Sequence, residues 1–440
     1  MRNDWASTFL VGNQSYLYPT IAATFNVTEA FPSIKGKVVD NIKLRANRAK
    51  VGKAGDFVYA TDSYFTGANP QDGFGPQILF PFNTLVGYTL SNAAGNAGLG
   101  PEFTTSKEVG AELSFWGGRI NIETNIYKTI SEKLIFGVPV SNSAGITTKI
   151  QNIGKSSTKG VELTLNLIPV KYKNGNWSIN FNYTQFKTTV DELAPGVLNI
   201  FLGGFTTPNI RLVAGDEYGQ IYGNAYQRDS ASGQILINPT TGYPLITSGV
   251  QKIGNPNPKY LLGITNTFTF KGFSFSFLLD VKKGGDQYSR NIADVRRNGV
   301  AKETAEYNRF LSDGVTVSTP YIFPGLNSTD LKPNTKGISA QNYWGNNGKY
   351  AAAEGFIVET SWFRVREASL SYKLSESLTK RIGIGNTELA IFGRNLYLRA
   401  KNYPHFDPEQ NALGVSNAQG LEFNALPQTR SIGVSLKVSL

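Results

Sequence analysis

Cysteine is absent from this 440-residue chain and histidine occurs once, at His405. Without thiols there are no disulfides, thiolate zinc sites or cysteine nucleophiles. A single imidazole leaves most metal- and histidine-based catalytic schemes without their parts. Charged residues are 17% of the chain, short of the usual ~25%. No run approaches the ~20 apolar residues of a membrane helix, which excludes helical spans; transmembrane strands, needing only ~9–11 alternating residues, stay open. The opening Met-Arg-Asn-Asp-Trp lacks the apolar core and cleavage site of a signal peptide, so an exported form is expected to be a processed chain or a fragment. The formal charge is +11, but Lys and Arg are spread along the whole length with no basic run or nucleic-acid motif, so nucleic acid is not an expected partner. An anionic membrane leaflet or anionic substrate is the better use of that charge.

What the chain does have is alternation. In 431–440, Ile432, Val434, Leu436, Val438 and Leu440 share one parity; Ser431, Gly433, Ser435, Lys437 and Ser439 share the other. A strand sends successive side chains to opposite faces, giving one apolar and one polar face. The segment 109–130 repeats the pattern around Gly117-Gly118, a turn of the kind that requires positive φ. That turn pairs Phe115 with Ile120, Leu113 with Ile122 and Val109 with Ile126 on one face. On the other it pairs Trp116 with Arg119, Ser114 with Asn121 and Glu112 with Glu123. Two opposed glutamates are tolerable only where that face meets water. A second hairpin turns at Lys271-Gly272, setting Phe270 against Phe273 and Phe268 against Phe275. A third turns at Asn174-Gly175; there the apolar parity slips at Pro169 and predicts a β-bulge. Strands are further expected at 363–374 and 388–398, joined by a short polar link with room for one helical turn.

Roughly a dozen strands result, and their connections alternate. Short ones fall at 117–118, 174–175, 271–272 and 375–386; long ones fall near 131–159, 191–259, 287–359 and 399–429. Short turns on one rim and long loops on the other is the pattern of an outer-membrane barrel. A soluble sandwich would turn every ~8–12 residues. The fold class read from the residues is therefore all-β, with an antiparallel transmembrane barrel ahead of a soluble sheet protein.

Several ordered segments sharpen this reading. Gln151-Asn-Ile-Gly-Lys155 precedes Lys159-Gly-Val-Glu-Leu163, and Ile253-Gly-Asn-Pro-Asn-Pro-Lys259 precedes Lys271-Gly-Phe-Ser-Phe275. Trp362-Phe-Arg-Val-Arg-Glu-Ala-Ser-Leu-Ser-Tyr372, Gly393-Arg-Asn-Leu396, Asp407-Pro-Glu409 and Pro427-Gln-Thr-Arg430 follow. Near the start, Tyr18-Pro-Thr20 and Lys43-Leu-Arg-Ala46 fit the same set. In order and spacing the chain resembles the SusC/RagA family of TonB-dependent outer-membrane transporters. The resemblance implies a barrel in the outer membrane of a Gram-negative bacterium and import of large nutrients, oligosaccharides or peptides. It implies a SusD-like surface lipoprotein as lid, the TonB complex as energy source for the full-length form, and no cofactor. The family's plug and TonB-contact segments have no counterpart in 1–440, and about 22 strands are expected of such a barrel. All 440 residues are therefore expected to be the truncated, C-terminal portion of one, not transport-competent alone. The alternative is a secreted, soluble β-rich glycan-binding module.

Candidate sites follow. The long loop 287–359 carries Tyr307, Tyr321, Tyr343, Trp344 and Tyr350: flat faces for sugar rings or peptides, or aromatics packing the loop on itself. Arg364 and Arg366 share a strand face and are expected in the barrel lumen. Asp407 and Glu409, beside His405, form a carboxylate pair of a type used in acid–base catalysis, but in a Pro-containing loop segment that the resemblance accounts for without chemistry. No catalytic, metal or cofactor residue is expected. Ile432, Val434, Leu436, Val438 and Leu440 are expected to face lipid.

Overall fold

A computed structural model describes residues 1–55, 65–67, 80–81, 83–90, 92–305, 321–381 and 383–438. Its frame is an 11-stranded antiparallel sheet in which every strand pairs with its sequence neighbour. We label these strands β1 (Thr20–Asn26), β2 (Val39–Lys53), β3 (Glu102–Phe115), β4 (Ile120–Glu132), β5 (Lys155–Tyr172) and β6 (Gly175–Glu192). Then come β7 (Tyr260–Phe270), β8 (Phe273–Lys283), β9 (Trp362–Lys373), β10 (Thr387–Arg399) and β11 (Ser431–Val438). β1 and β11 are the edges.

The hairpin registers are those the alternation specifies: Phe115 opposite Ile120, Glu112 opposite Glu123, and Phe270 opposite Phe273. Lys271 and Gly272 both take positive φ, 46° and 87°, as the mirror-image turn requires. The third turn falls one residue earlier than expected, at Lys173-Asn174 between the paired Tyr172 and Gly175, and the turn at Gly117-Gly118 is wider than expected. The ladder ends at Phe115 and Ile120, and Trp116, at φ 55°, leaves it along with Arg119. The β5–β6 register shifts between Leu167 and Val170, which places the bulge at Ile168-Pro169. The link 375–386 contains a helical segment, Glu376–Arg381.

Register converts sequence parity into two continuous faces. On one lie Leu44, Leu113, Ile122, Leu165 and Phe181; it continues through Ile264, Phe275, Leu370, Ile391 and Val434. The other face carries Lys43, Glu112, Glu123, Asn166, Asn180, Ser276, Ser369 and Ser435. The opposed Glu112 and Glu123 are bridged from β2: Arg45 donates to both, at 2.8 and 2.6 Å, and Lys43 reaches Glu112 at 3.2 Å. The apolar face is the exposed one. Val109 is 64% accessible, Ile126 62% and Ile432 71%. The buried apolar residues lie outside the eleven strands, except Val190 and Trp362 at the long-loop ends of β6 and β9. A soluble sandwich would bury this face; an exposed apolar surface of this extent marks contact with membrane or partner.

The connections at one rim are short. At the other they span 54–101, 133–154, 193–259, 284–361 and 400–430, and there the loops build their own core. Segment 193–259 contains a four-stranded sheet, Asn199–Gly204, Asn209–Val213, Gln220–Gly223 and Gln251–Gly254. Ile210 and Ile221 from it pack with Tyr288, Ile292 and Phe356 of the next loop and Tyr403 and Leu421 of the last. Three loops thus fold as one cap. Helix α1 (Arg290–Arg297) starts from Ser289, whose hydroxyl accepts from the Ile292 amide; Glu422 accepts from both the Ser289 hydroxyl and the Asn291 amide. A carboxylate at a helix N-terminus is the favourable sign for the helix dipole.

Candidate functional site

The ordered segments of the sequence converge in space. Arg364, on the polar face of β9, is 1% exposed and donates to Asp407 at 2.7 Å, with Glu409 at 2.9 Å. Arg366 reaches Glu409 and Asp280, both at 2.7 Å. Both guanidinium groups lie over the Trp362 ring, at 5.5 and 5.3 Å. Arg364 also donates to Asn395 and Gln428, each at 3.3 Å, and Gln428 donates to Glu409 at 3.1 Å.

Local sequence explains the geometry. Arg366 falls where the β9–β10 register shifts, between Val365 and Glu367. On β10 the same shift takes up Asn395 and Leu396, and Asn395 sits at φ 52°, a conformation that Asn tolerates better than most residues. From there its amide donates to the Thr429 carbonyl while its oxygen accepts from Arg364. One charged clamp therefore joins the segments at Trp362, Gly393, Asp407 and Pro427, fastening the loop 400–430 to the barrel wall. Two arginines against three carboxylates, held by planar forks and an aromatic face, is a rigid arrangement.

Two other segments act likewise. Asn255 donates to Glu217 and accepts from Gln220; its backbone N–H donates to the Asp286 carboxylate. This ties the loop 193–259 to the loop 284–361. Asn152 donates to the carbonyls of Gly100 and Lys133 and accepts from the Gly100 amide, tying 54–101 to 133–154. Both of these segments sit at loop bases and secure them, whereas Lys271–Phe275 forms a short turn and Lys43–Ala46 lies within β2.

The sequence-named residues are distributed as follows. Arg364 and Arg366 are on the polar face, but Arg364 is enclosed by the returning loop instead of standing in open solvent. The carboxylates of Asp407 and Glu409 are salt-bridged to those arginines. Asp280, Asn395 and Gln428 are not singled out as site residues by sequence; Asn395 and Gln428 stand in the ordered segments and Asp280 on the polar parity of its strand, and none of these positions announces a partner. In the cap, the Tyr321 and Tyr343 rings stack at 4.7 Å, and Trp344 packs edge-on to Tyr343 at 5.0 Å. Ile338 and Tyr243 complete that cluster. Arg296 lies over Trp344 and Arg297 over Tyr350, at 5.3 and 4.5 Å. These four aromatics pack within the cap; Tyr307 lies outside the described residues. Ile432, Val434, Leu436 and Val438 stand exposed on the apolar face, and Leu440 lies outside the described residues. His405 contacts the Glu303 carboxylate at 3.0 and 3.1 Å, and Arg296 donates to it at 2.7 Å. Burial pushes the Glu303 carboxyl up, but these hydrogen bonds prevail and hold it at about 2. Among the described residues no cluster of three His, Cys, Asp or Glu is arranged to hold a metal.

The comparisons with known proteins agree with this architecture. The family model for the TonB dependent receptor-like β-barrel matches residues 1–396. TonB-dependent receptor P26 of Formosa agariphila is 25% identical over 100% of this chain and 44% of its own length. TonB-dependent receptor SusC of Bacteroides thetaiotaomicron is 23% identical over 99% of this chain and 41% of its own. The structure of the RagAB peptide transporter superposes with a TM-score of 0.69, at 18% identity, over 99% of this chain and 45% of that one. The chain thus spans less than half the length of these relatives. It belongs to the TonB-dependent receptor β-barrel family, outer-membrane proteins of Gram-negative bacteria, with SusC among its relatives and the fold of RagAB.

Proposed function

We propose that this chain is the C-terminal portion of the barrel wall, with its outer loop cap, of an importer of large nutrients, oligosaccharides or peptides. The eleven strands of the main sheet among the described residues are half of the about 22 in a TonB-type barrel. The apolar face, including Ile432, Val434, Leu436 and Val438, meets lipid, and the polar face lines the lumen. The single observation that carries this reading is the pairing of an outward apolar sheet with a loop cap that has its own core and is clamped to the wall through Arg364. Such a cap is a preformed platform for a SusD-like surface lipoprotein; the aromatic cluster of Tyr321, Tyr343 and Trp344, and Tyr350 packed separately on Phe356, set its shape.

Energised uptake needs the plug and TonB-contact segments of the complete transporter, so this chain alone does not transport. The test is uptake of labelled oligosaccharides and peptides by a deletion strain. Complementation by the full-length gene should restore TonB-dependent uptake of one class; complementation by residues 1–440 should restore none. TonB-dependent uptake by residues 1–440 alone would refute the proposal.

A further inference from the structure

One feature of the apolar face is not apolar. Arg48 of β2 is directly opposite Lys107 of β3, Lys107 opposite Lys128 of β4, Lys128 opposite Lys159 of β5, and Lys159 opposite Lys187 of β6. Five adjacent strands thus carry a basic side chain at one level, and all five are exposed. At the ~4.8 Å spacing of neighbouring strands the row is roughly 19 Å long. Lys187 pairs with Glu217 at 2.8 Å; among the described residues the other four make no salt bridge. Like charges directly opposite one another are destabilising, so such a row calls for a counter-charge from outside.

Its level indicates the source. One pairing step below the row lie Ala46, Val109, Ile126 and Val161, where the apolar face begins. From Lys107 to Phe115 at the short turn, β3 runs ~26 Å, which at the ~35–45° tilt of barrel strands is a rise of ~20 Å, most of the ~25 Å height of a barrel's apolar band. The row therefore lies at the edge of the band nearest the long loops, which in such barrels face outward. Beneath it the small side chains of Ala23 and Ala46, with Val109, Ile126 and Val161, border a groove of about 810 Å³ roofed by the basic residues. Cations above an apolar groove match an amphiphile with an anionic head and acyl chains.

We propose that Arg48, Lys107, Lys128 and Lys159 bind the phosphate groups of an outer-leaflet glycolipid, whose acyl chain occupies the groove beneath. The inference rests on the lipid-facing assignment of the apolar face. It concerns the annulus of the barrel and is independent of the cargo.

The test uses the full-length protein purified in detergent and native mass spectrometry with bisphosphorylated lipid A. The first variant combines Arg48→Gln, Lys107→Gln, Lys128→Gln and Lys159→Gln. The charge-matched control carries Lys35→Gln, Lys37→Gln, Lys171→Gln and Lys173→Gln, near the short turns. With each basic residue near a membrane surface contributing about fivefold, the first variant should bind at least about tenfold more weakly, and the control within about twofold of wild type. Lipid A stripped of its phosphates should bind wild type at least about tenfold more weakly, and excess inorganic phosphate should not displace the intact lipid. Should the quadruple variant fail to insert, Lys128→Gln with Lys159→Gln makes the same comparison. Equal binding by the row variant, equal binding of the dephosphorylated lipid, or displacement by inorganic phosphate would each overturn the proposal.

Discussion

Arg364 illustrates how the meaning of a residue depends on distant partners. An arginine with alternating neighbours reads as one more polar group on the water side of a strand. In the structure it is enclosed between Asp407, Glu409, Asn395, Gln428 and the Trp362 ring. Removing one partner of a buried ion pair leaves the other uncompensated and costs about 3–5 kcal/mol. We expect Arg364→Met in the full-length protein to loosen the loop 400–430. Amide hydrogen exchange at Leu421 and Glu422 should accelerate by about a hundredfold or more. Arg364→Lys should recover little, since an ammonium cannot reproduce the planar fork. Unchanged protection in both variants would contradict the clamp. Most residues of this clamp, though not Asp280, stand in the ordered segments, and Arg364, Arg366, Asp407 and Glu409 are legible as candidates. Their association was not visible, because 43 positions separate Arg364 from Asp407 and nothing local to either pairs them.

At the scale of elements, legibility follows the range of the determining interactions. The hairpins at Gly117 and Lys271 are readable to the register because turn chemistry and period-2 alternation are local; the one at Asn174 is legible as a hairpin, but its turn falls one residue earlier than the Asn-Gly pair suggests, with Tyr172 opposite Gly175. Even the bulge at Pro169 was signalled by a change of parity. The long loops were not readable. Segment 193–259 forms its sheet and core through contacts with 284–361 and 400–430. The opposed Glu112 and Glu123 show the intermediate case: water on that face was inferred, whereas the bridging Arg45 comes from a third strand. The link between loops gives a pH prediction. Glu303 binds Arg296 in the last turn of α1 and His405 of the last loop, and its carboxyl is held at about 2 against an ordinary 4.5. A depressed carboxylate contributes stability that is full above the unfolded value and is lost as pH falls through the folded one. The cap should therefore become more susceptible to an acid-active protease as pH falls from about 4.5 to about 2, with cleavage in 290–305 and 400–410. Glu303→Gln should remove that contribution at neutral pH and flatten the dependence. Identical profiles for variant and wild type would show that the contact does not hold the loops together.

At the scale of the molecule, the arrangement inverts that of a soluble protein: apolar side chains face out along eleven strands, polar ones face in, and the conventional core is confined to the cap. The family relationship covers most of the chain, while the chain covers 41% to 45% of the relatives cited. The account depends most on which face meets lipid. Because the chain has no cysteine, single cysteines can be placed at will in a cysteine-free full-length background. Leu389→Cys, Ala390→Cys and Ile391→Cys in β10, and Val434→Cys, Ser435→Cys and Leu436→Cys in β11, would each be labelled with a fluorophore in bilayers containing brominated lipid. Strong quenching at 389, 391, 434 and 436 with little at 390 and 435 is the predicted result. Equal quenching at all six positions, or the opposite alternation, would contradict the account.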